Sequence, residues 1–472
     1  MSAHPLEEIL HPQSIAVVGA SGSGGRGSGF LSPLLELGFK GKIYPVNPKY
    51  SEIEGMKAYP SLRKIPNSVD YVISAVPAPE VLNMLEDCSQ KGVKGVHLFT
   101  ARFSETGRPE AADLEQEILK QARKRGIRLI GPNCMGVYYP RQGMSFRDGL
   151  PKESGSAGLA SQSGNVAGEI IQTATSRGVY FSKAISYGNA IDLNESDYLD
   201  YFAQDPETKI ILMYVEGVKD GQRFFNTLRR AASTKPVIII KGGRGKSGAR
   251  ATASHTASLA GSVKIWETAV TQAGAVSVEN LDELIDMAVS FYFLPPIRGR
   301  RVGVAGGAGG ASVLAADQCE EAGLDVIPLP AEFREELKSK GVTIWDWLGN
   351  PADMSIREDD NFSVGAVLEM MAKNQNFDLL IAMIRGPHHR WHKEMPVETY
   401  LEEYRLKESS QKPLLAVVPD TSPDIDEDDD WSWKLMRQMR MQLIVANIPF
   451  YPTIERAARA ARKLIDYYQK RR

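Results

Sequence analysis

Three times along this 472-residue chain, a run of strand-forming residues breaks into a glycine- or serine-rich turn and then a helix-length segment. Ser14–Val18 leads into Gly19-Ala-Ser-Gly-Ser-Gly-Gly-Arg-Gly-Ser-Gly29. Ser156–Ala160 leads into Ser161-Gln-Ser-Gly164, and Arg301–Ala305 into Gly306-Gly-Ala-Gly-Gly310. Short apolar strands separated by helix-length segments belong to a parallel sheet covered on both faces. A turn of small residues at the carboxyl end of such a strand presents free backbone N–H groups and the positive end of a helix dipole. One turn of this kind is weak; three in one chain predict that phosphate groups are the ligands.

The length calls for about three domains. The pattern places them at 1–148, 149–295 and 299–472, separated by the polar loop Arg141–Gly155 and the Pro- and charge-rich Phe293–Arg300. Further strands are expected at Lys42–Val46, Tyr71–Val76, Val93–Phe99 and Arg128–Ile130 in the first unit. They are expected at Ile210–Val215 and Pro236–Ile240 in the second, which closes with a helix near Leu281–Phe291, and at Leu379–Met383 and Leu414–Val418 in the third. A net charge of −2 gives no general attraction to nucleic acid or anionic membrane, so neither is expected as a partner. No apolar run approaches the ~18 residues of a membrane span, and the amino terminus does not read as a signal peptide. Cys88, Cys134 and Cys319 are few and far apart, which fits a reducing cytoplasm. No metal site is expected: no cysteine pair has ligand spacing, and His388-His389-x-x-His392 reads as a polar loop without a matched carboxylate.

Individual residues carry the chemistry further. His255 stands among small hydroxyl-bearing residues in Arg250-Ala-Thr-Ala-Ser-His-Thr-Ala-Ser-Leu-Ala-Gly-Ser262. It is either a polar loop histidine or an imidazole open to a ligand, able to attack phosphorus or hold a proton near neutral pH. The first turn contains Gly22-x-Gly24-x-x-Gly27, but an NAD site calls for an acidic residue after the second strand. Val46-Asn-Pro-Lys49 stands there, and a lysine suits an extra phosphate, as in NADP or coenzyme A. Val76-Pro-Ala-Pro79 and Gly131-Pro-Asn-Cys-Met-Gly136 end two further strands on the same rim. Cys134 is read as a small residue beside a ligand, or as a thiol nucleophile.

Together these stretches resemble the NDP-forming acyl-CoA synthetases, relatives of succinyl-CoA synthetase, and in particular the α-type subunits of the ADP-forming acetyl-CoA synthetases. The matching segments, in the family's order, are Val18-Gly-Ala-Ser21, Tyr44-Pro-Val-Asn-Pro-Lys49, Val76-Pro-Ala78, Gly131-Pro-Asn-Cys134, Ser161-Gln-Ser-Gly164, Gly188-Asn189, Asp205-Pro-Glu-Thr208, Tyr214-Val-Glu-Gly217, Lys241-Gly-Gly-Arg244 and Ser254-His255-Thr256. The third unit is similar, less specifically, through Gly306–Gly310 and Gly349-Asn-Pro-Ala-Asp353.

The resemblance implies a Rossmann-like CoA-binding domain followed by two flavodoxin-like parallel-sheet domains. It implies the reaction carboxylic acid + CoA + ATP ⇌ acyl-CoA + ADP + phosphate, by way of an acyl phosphate and a phosphohistidine at His255. Glu216, one strand earlier, is expected to hold the second imidazole nitrogen. Phosphate contacts are expected from Gln162, Ser163 and Gly164 and from Ala308, Gly309 and Gly310. CoA contacts are expected from Gly19, Ala20, Ser21, Gly25, Lys49, Val76, Pro77, Ala78, Asn133 and Cys134. Two departures stand out: Ala257 and Arg102 occupy positions where the family usually has glycine. No stretch reads as an ATP-grasp fold, so ATP/ADP and Mg are expected on a separate β-type ATP-grasp subunit, with a heterotetramer as the assembly. The alternatives are a non-catalytic or regulatory CoA-binding protein of the same fold and an NADP-dependent dehydrogenase, the latter disfavoured because no acid/base pair for it is identifiable.

Overall fold

The computed structural model describes residues 4–22, 28–248, 250, 262–355, 362–385, 396–420 and 430–471. The chain divides into two compact units, Met1–Leu284 and Ile285–Arg472. The first unit contains two sheets. Its amino-terminal sheet is built from β1 (Ser14–Val18), β2 (Lys42–Val46), β5 (Tyr71–Ser74), β6 (Gly95–Leu98) and β7 (Arg128–Ile130), in the order β2-β1-β5-β6-β7 and parallel throughout. A small hairpin, β3 (Glu52–Ile53) with β4 (Met56–Lys57), sits between β2 and β5 in the chain.

These strands are near-continuous apolar runs because helices cover them. Val81–Lys91 and Pro109–Lys124 supply Leu85, Cys88, Ile118 and Ala122 to a core shared with Val72, Val96 and Leu129. Val81–Lys91 stops at Gly92, which takes φ +74° so that its N–H can return to the Cys88 and Ser89 carbonyls, a turn that glycine makes without steric cost.

The second sheet has the order β13-β12-β11-β9-β10-β8. Its members are β8 (Gly136–Tyr138), β9 (Ala157–Ser161), β10 (Phe181–Ser186), β11 (Ile210–Val215), β12 (Val237–Lys241) and β13 (Val276–Val278). β8 runs antiparallel to β10 while the rest are parallel. The chain therefore enters the second sheet at Gly136, before the polar loop that the sequence marks as the divide.

β10 escaped sequence reading because its letters, Phe-Ser-Lys-Ala-Ile-Ser, are half polar. The strand is nevertheless wholly buried. Lys183 is tolerated there because its ammonium donates to Asp205 at 3.0 Å and Glu207 at 2.6 Å and lies 4.4 Å from the Tyr139 ring centroid.

The second unit carries a parallel sheet of β14 (Val302–Ala305), β15 (Leu379–Met383), β16 (Leu414–Val417) and β17 (Phe450–Tyr451), in that order. The helix Leu281–Phe293, which the sequence assigns to the end of the middle unit, turns its later residues to this one. Asp286 pairs with Arg456 through bonds of 2.6 and 3.0 Å, and Ser290 meets the Tyr451 hydroxyl at 2.8 Å. Among the described residues, no helix is long and apolar enough to cross a membrane.

His97, on β6, is fully buried beneath the turn that follows β7. One ring nitrogen is 3.0 Å from the Cys134 carbonyl, and a Cβ at Gly136 would fall 2.5 Å from the ring. Burial pushes the imidazole down to about 4 despite that hydrogen bond. The unfolded chain therefore takes up a proton below pH ~6.5 that the folded chain refuses until about 4, so stability falls as pH drops through that window. The expected loss from this group is about 3 kcal/mol at its acid end. Urea midpoints measured from pH 7 to pH 4 should fall more steeply for wild type than for His97→Gln.

Candidate functional site

In a parallel sheet every strand ends at the same edge, so the turns after β1, β5, β6 and β7 converge. Gly19 opens the first of them with φ +88°, and a Cβ there would come within 3.0 Å of the Ala75 carbonyl. Asn47 ties the β2 turn to it: Nδ2 donates to the Ala20 carbonyl at 2.6 Å, and Oδ1 accepts from Lys49 N–H at 3.0 Å. The Lys49 side chain is exposed beside this turn. Gly25 lies outside the described residues.

Val76, Pro77, Ala78 and Asn133 line one cleft of about 910 Å³, together with Phe99–Arg102, Arg108 and Leu114. Its floor is cross-braced. Thr100 Oγ1 donates to the Val76 carbonyl at 2.8 Å, and Asn133 N–H donates to the Thr100 carbonyl at 2.9 Å. Gly188 allows the next layer to close in, since a Cβ there would lie 2.2 Å from the Pro132 carbonyl oxygen. Asn189 then reaches Glu105 at 2.7 Å.

Cys134 is not part of the cleft lining. Its sulfur is buried 3.6 Å from the Leu98 carbonyl, and burial pushes the thiol well up. That environment suits a small packing residue beneath the turn and opposes a thiolate nucleophile.

A second group of residues gathers where β9, β11 and β12 end. Ser163 caps the helix Gly164–Ser176, its hydroxyl accepting from Val166 N–H at 3.4 Å. Gln162 is engaged differently from the phosphate donor the sequence suggests. Its own N–H donates to the Tyr214 carbonyl at 3.0 Å, and its side-chain oxygen accepts from Glu216 N–H at 2.8 Å and Gly217 N–H at 3.0 Å. The backbone donors at this end thus fall to Ser163 and Gly164.

Glu216 is buried, and its carboxylate accepts from the Tyr214 hydroxyl at 3.1 Å. Burial, and then the Glu216 charge, push that hydroxyl well up, so it stays a donor. Lys241 closes the group from below. Its ammonium donates to the Glu216 and Gly242 carbonyls, each at 2.6 Å. Burial pushes this ammonium down, and Glu216 opposes the shift.

Tyr214 and Lys241 had no role assigned from sequence. The available signal was a polar residue at the carboxyl end of an otherwise apolar strand. Arg250 to Ser262 holds the remaining sequence candidate, but His255 lies outside the described residues, as do His388, His389 and His392.

In the second unit, Ala308 precedes the helix Gly309–Glu321 as the sequence predicts. A carboxylate of the same unit already stands at that end. Asp353 accepts hydrogen bonds from Gly309 N–H and from Ser355, which, with the nearby Arg385 charge, outweigh burial and hold its carboxyl below the usual range.

The absence of a side chain at Gly242 is what lets Tyr214 meet Glu216. A Cβ there would lie 2.7 Å from the Tyr214 hydroxyl and 3.1 Å from Glu216 Cγ. Gly242→Ala is expected to cost about 1–3 kcal/mol by overpacking, and much less in a Tyr214→Phe background, where the closest contact is gone. Denaturation of the two single variants and the double variant checks this non-additivity.

Comparisons with known proteins agree with this geometry. Residues 13–140 match the family model described as CoA binding domain, and residues 154–291 match the one described as succinyl-CoA ligase like flavodoxin domain. The chain is 38% identical to the α subunit of acetate–CoA ligase [ADP-forming] II of Pyrococcus furiosus, over 81% of this chain and 83% of that one. It is 31% identical to acetate–CoA ligase [ADP-forming] II of Archaeoglobus fulgidus, over 99% of this chain and 67% of that one. Among solved structures, an acetyl-coenzyme A synthetase of Ca. Korarchaeum cryptofilum, in complex with phosphate and ADP, superimposes with a TM-score of 0.81 at 31% identity. The match covers 99% of this chain and 97% of that one. With two parallel-sheet domains matched in order and relatives this similar over most of their length, the chain belongs to the ADP-forming acyl-CoA ligases, the family of the acetate–CoA ligase α subunits.

Proposed function

We propose that the chain is the CoA-binding, phosphohistidine-carrying subunit of an ADP-forming acyl-CoA synthetase, acting on a small carboxylic acid in the cytoplasm. The observation that carries this reading is the buried, braced carboxylate of Glu216 at the end of β11. The parallel neighbour of β11, β12, leads in sequence to Ser254-His255-Thr256. A buried carboxylate that accepts from the Tyr214 hydroxyl, on a residue whose backbone N–H and carbonyl are held by Gln162 and Lys241, is suited to accept one imidazole N–H and stabilise the cation that forms when the other nitrogen attacks phosphorus.

His255 takes the γ-phosphoryl group of ATP, releasing ADP. The phosphohistidine then passes this group to a carboxylate oxygen of the acid, regenerating the neutral imidazole and forming an acyl phosphate. The CoA thiolate attacks the acyl carbon, the C–O bond to phosphate breaks, and acyl-CoA and phosphate leave. Ser163 and Gly164, at the start of a 13-residue helix, are proposed to donate to the phosphoryl oxygens. Ala308, Gly309 and Gly310 are proposed as a further phosphate contact.

CoA is proposed to lie along the sheet edge. Gly19, Ala20, Ser21 and Gly25 would sit at its pyrophosphate, Lys49 at its 3′-phosphate, Val76 to Ala78 along the pantetheine or adenine, and Asn133 toward the thiol. ATP and Mg²⁺ are proposed to arrive on a β-type ATP-grasp subunit in a heterotetramer. The naming of two Pyrococcus furiosus relatives as α subunits supports such a partner.

Incubating the chain with acetyl-CoA and phosphate, or with ATP and an ATP-grasp partner, should add one phosphoryl group by intact mass. His255→Ala should abolish the gain, and Glu216→Gln should slow it by roughly 10²-fold. CoA binding without phosphorylation under either condition would favour the non-catalytic CoA-binding alternative.

A further inference from the structure

The cleft carries two positive charges that the reading above does not use. Arg102 and Arg108 both line it, and both are exposed. Among the described residues neither guanidinium forms an ion pair; Arg108 Nε donates to the Thr106 hydroxyl at 3.3 Å. Glu105, the acid nearest in the turn, is committed elsewhere. Its two oxygens receive the backbone N–H groups of Arg102 and Phe103 and the side chain of Asn189. Among the described residues, Glu110 is the one acid in the lining.

The backbone of Arg102 makes the position informative. Its φ is +79°, in the left-handed region that glycine adopts freely and an arginine occupies only against steric resistance. The Glu105 carboxylate and the buried Phe103 hold the turn in that shape. A disfavoured backbone kept at the rim of a cleft points to work done by the side chain it presents.

Its place in the sheet narrows what that work is. Arg102 follows β6, which lies between β5 and β7 and two strands from β1. At ~4.8 Å per strand, the Gly19 turn begins about 10 Å away, while the Asn133 turn is the immediate neighbour.

We propose that Arg102 and Arg108 form an anion clamp on the cleft rim. It grips an oxyanion of the ligand seated there, either the carboxylate at the far end of a dicarboxylic acyl group or a phosphate of CoA itself. Two guanidinium forks match either oxyanion with paired N–H donors, which a single ammonium does not. This clamp rests on the reading of the cleft as the CoA site.

Calorimetric titration of the full chain with CoA, acetyl-CoA and succinyl-CoA tests it, in wild type, Arg102→Gly, Arg102→Lys and Arg108→Gln. Arg102→Gly suits the left-handed backbone, so its Tm should equal or exceed that of wild type, and lost binding cannot be laid to misfolding. Its affinity is expected to fall by about tenfold or more, with Arg102→Lys intermediate and the loss shrinking as salt is raised. A loss confined to succinyl-CoA assigns the acyl carboxylate. An equal loss across all three ligands, sensitive to salt, assigns a CoA phosphate. Unchanged affinity for all three in both Arg102→Gly and Arg108→Gln overturns the clamp, as does a salt-independent loss shared by Arg102→Lys. Failure of wild type to bind CoA at all overturns the CoA reading and the clamp with it, whereas wild-type binding with unaffected variants overturns the clamp alone.

Discussion

The side-chain oxygen of Gln162 receives two backbone N–H groups, those of Glu216 and Gly217. This one acceptor decides the geometry of the end of β11. A buried N–H without a partner is costly, so the chain after β11 stays where Gln162 can satisfy both. Glu216 then projects its carboxylate at a fixed point, against the Tyr214 hydroxyl. Lys241 supplies the complementary half by donating to the Glu216 and Gly242 carbonyls. Donors and acceptors at this strand edge are thus paired before any ligand arrives. A carboxylate in the role proposed for Glu216 gains most from such prior fixing, because little reorganisation is left for the reaction.

Parallel β-structure is what makes that fixing possible in two places at once. In the amino-terminal sheet the turns after β5, β6 and β7 are stitched crosswise by Thr100 and Asn133. In the next sheet, Gln162 does the equivalent between the turns after β9 and β11. The two are joined by close backbone approach at Gly188, where even a methyl group would strike the Pro132 carbonyl. The cleft and the Glu216 group therefore belong to one compact unit, Met1–Leu284. Asn189, which follows β10 of the second sheet, bonds back to Glu105, Glu115 and the Pro132 carbonyl beside the first.

The strands legible in the sequence are apolar after at most one leading polar residue. β1, β2, β7, β11 and β15 lie within the bounds that hydrophobic runs alone suggest, because a strand buried on both faces has no other way to be written. Sequence reading failed where burial is shared with charge. β10 carries Lys183, and the residues that neutralise it, Asp205 and Glu207, are more than twenty positions away in sequence. β8 is three residues long and antiparallel, so no βα rhythm announces it. The rim residues Val76, Pro77, Ala78 and Asn133 were legible because strand ends in a parallel sheet share an edge. Tyr214 and Lys241 were visible as letters but not as partners, since their contacts run between strands whose adjacency only the fold decides.

The glycine-rich turn of the second unit is met by a carboxylate of its own unit. A helix starting at Gly309, after a strand and a run of small residues, should attract an anion, and an anion is there. It is the carboxylate of Asp353, carried by the Gly349-Asn-Pro-Ala-Asp353 segment and held low in pKa by Gly309, Ser355 and Arg385. Asn350 fixes that segment, donating to the Val302 and Ile327 carbonyls at 2.8 Å and accepting from Val304 N–H at 2.9 Å. Arg385 in turn spans the Gly306, Gly307 and Met354 carbonyls. The start of this helix prefers negative charge without specifying the molecule that brings it. A phosphate approaching this helix would meet Asp353 first. The contact proposed for Ala308 to Gly310 therefore requires Asp353 to yield its hydrogen bond from Gly309, or Arg385 to offset the added repulsion.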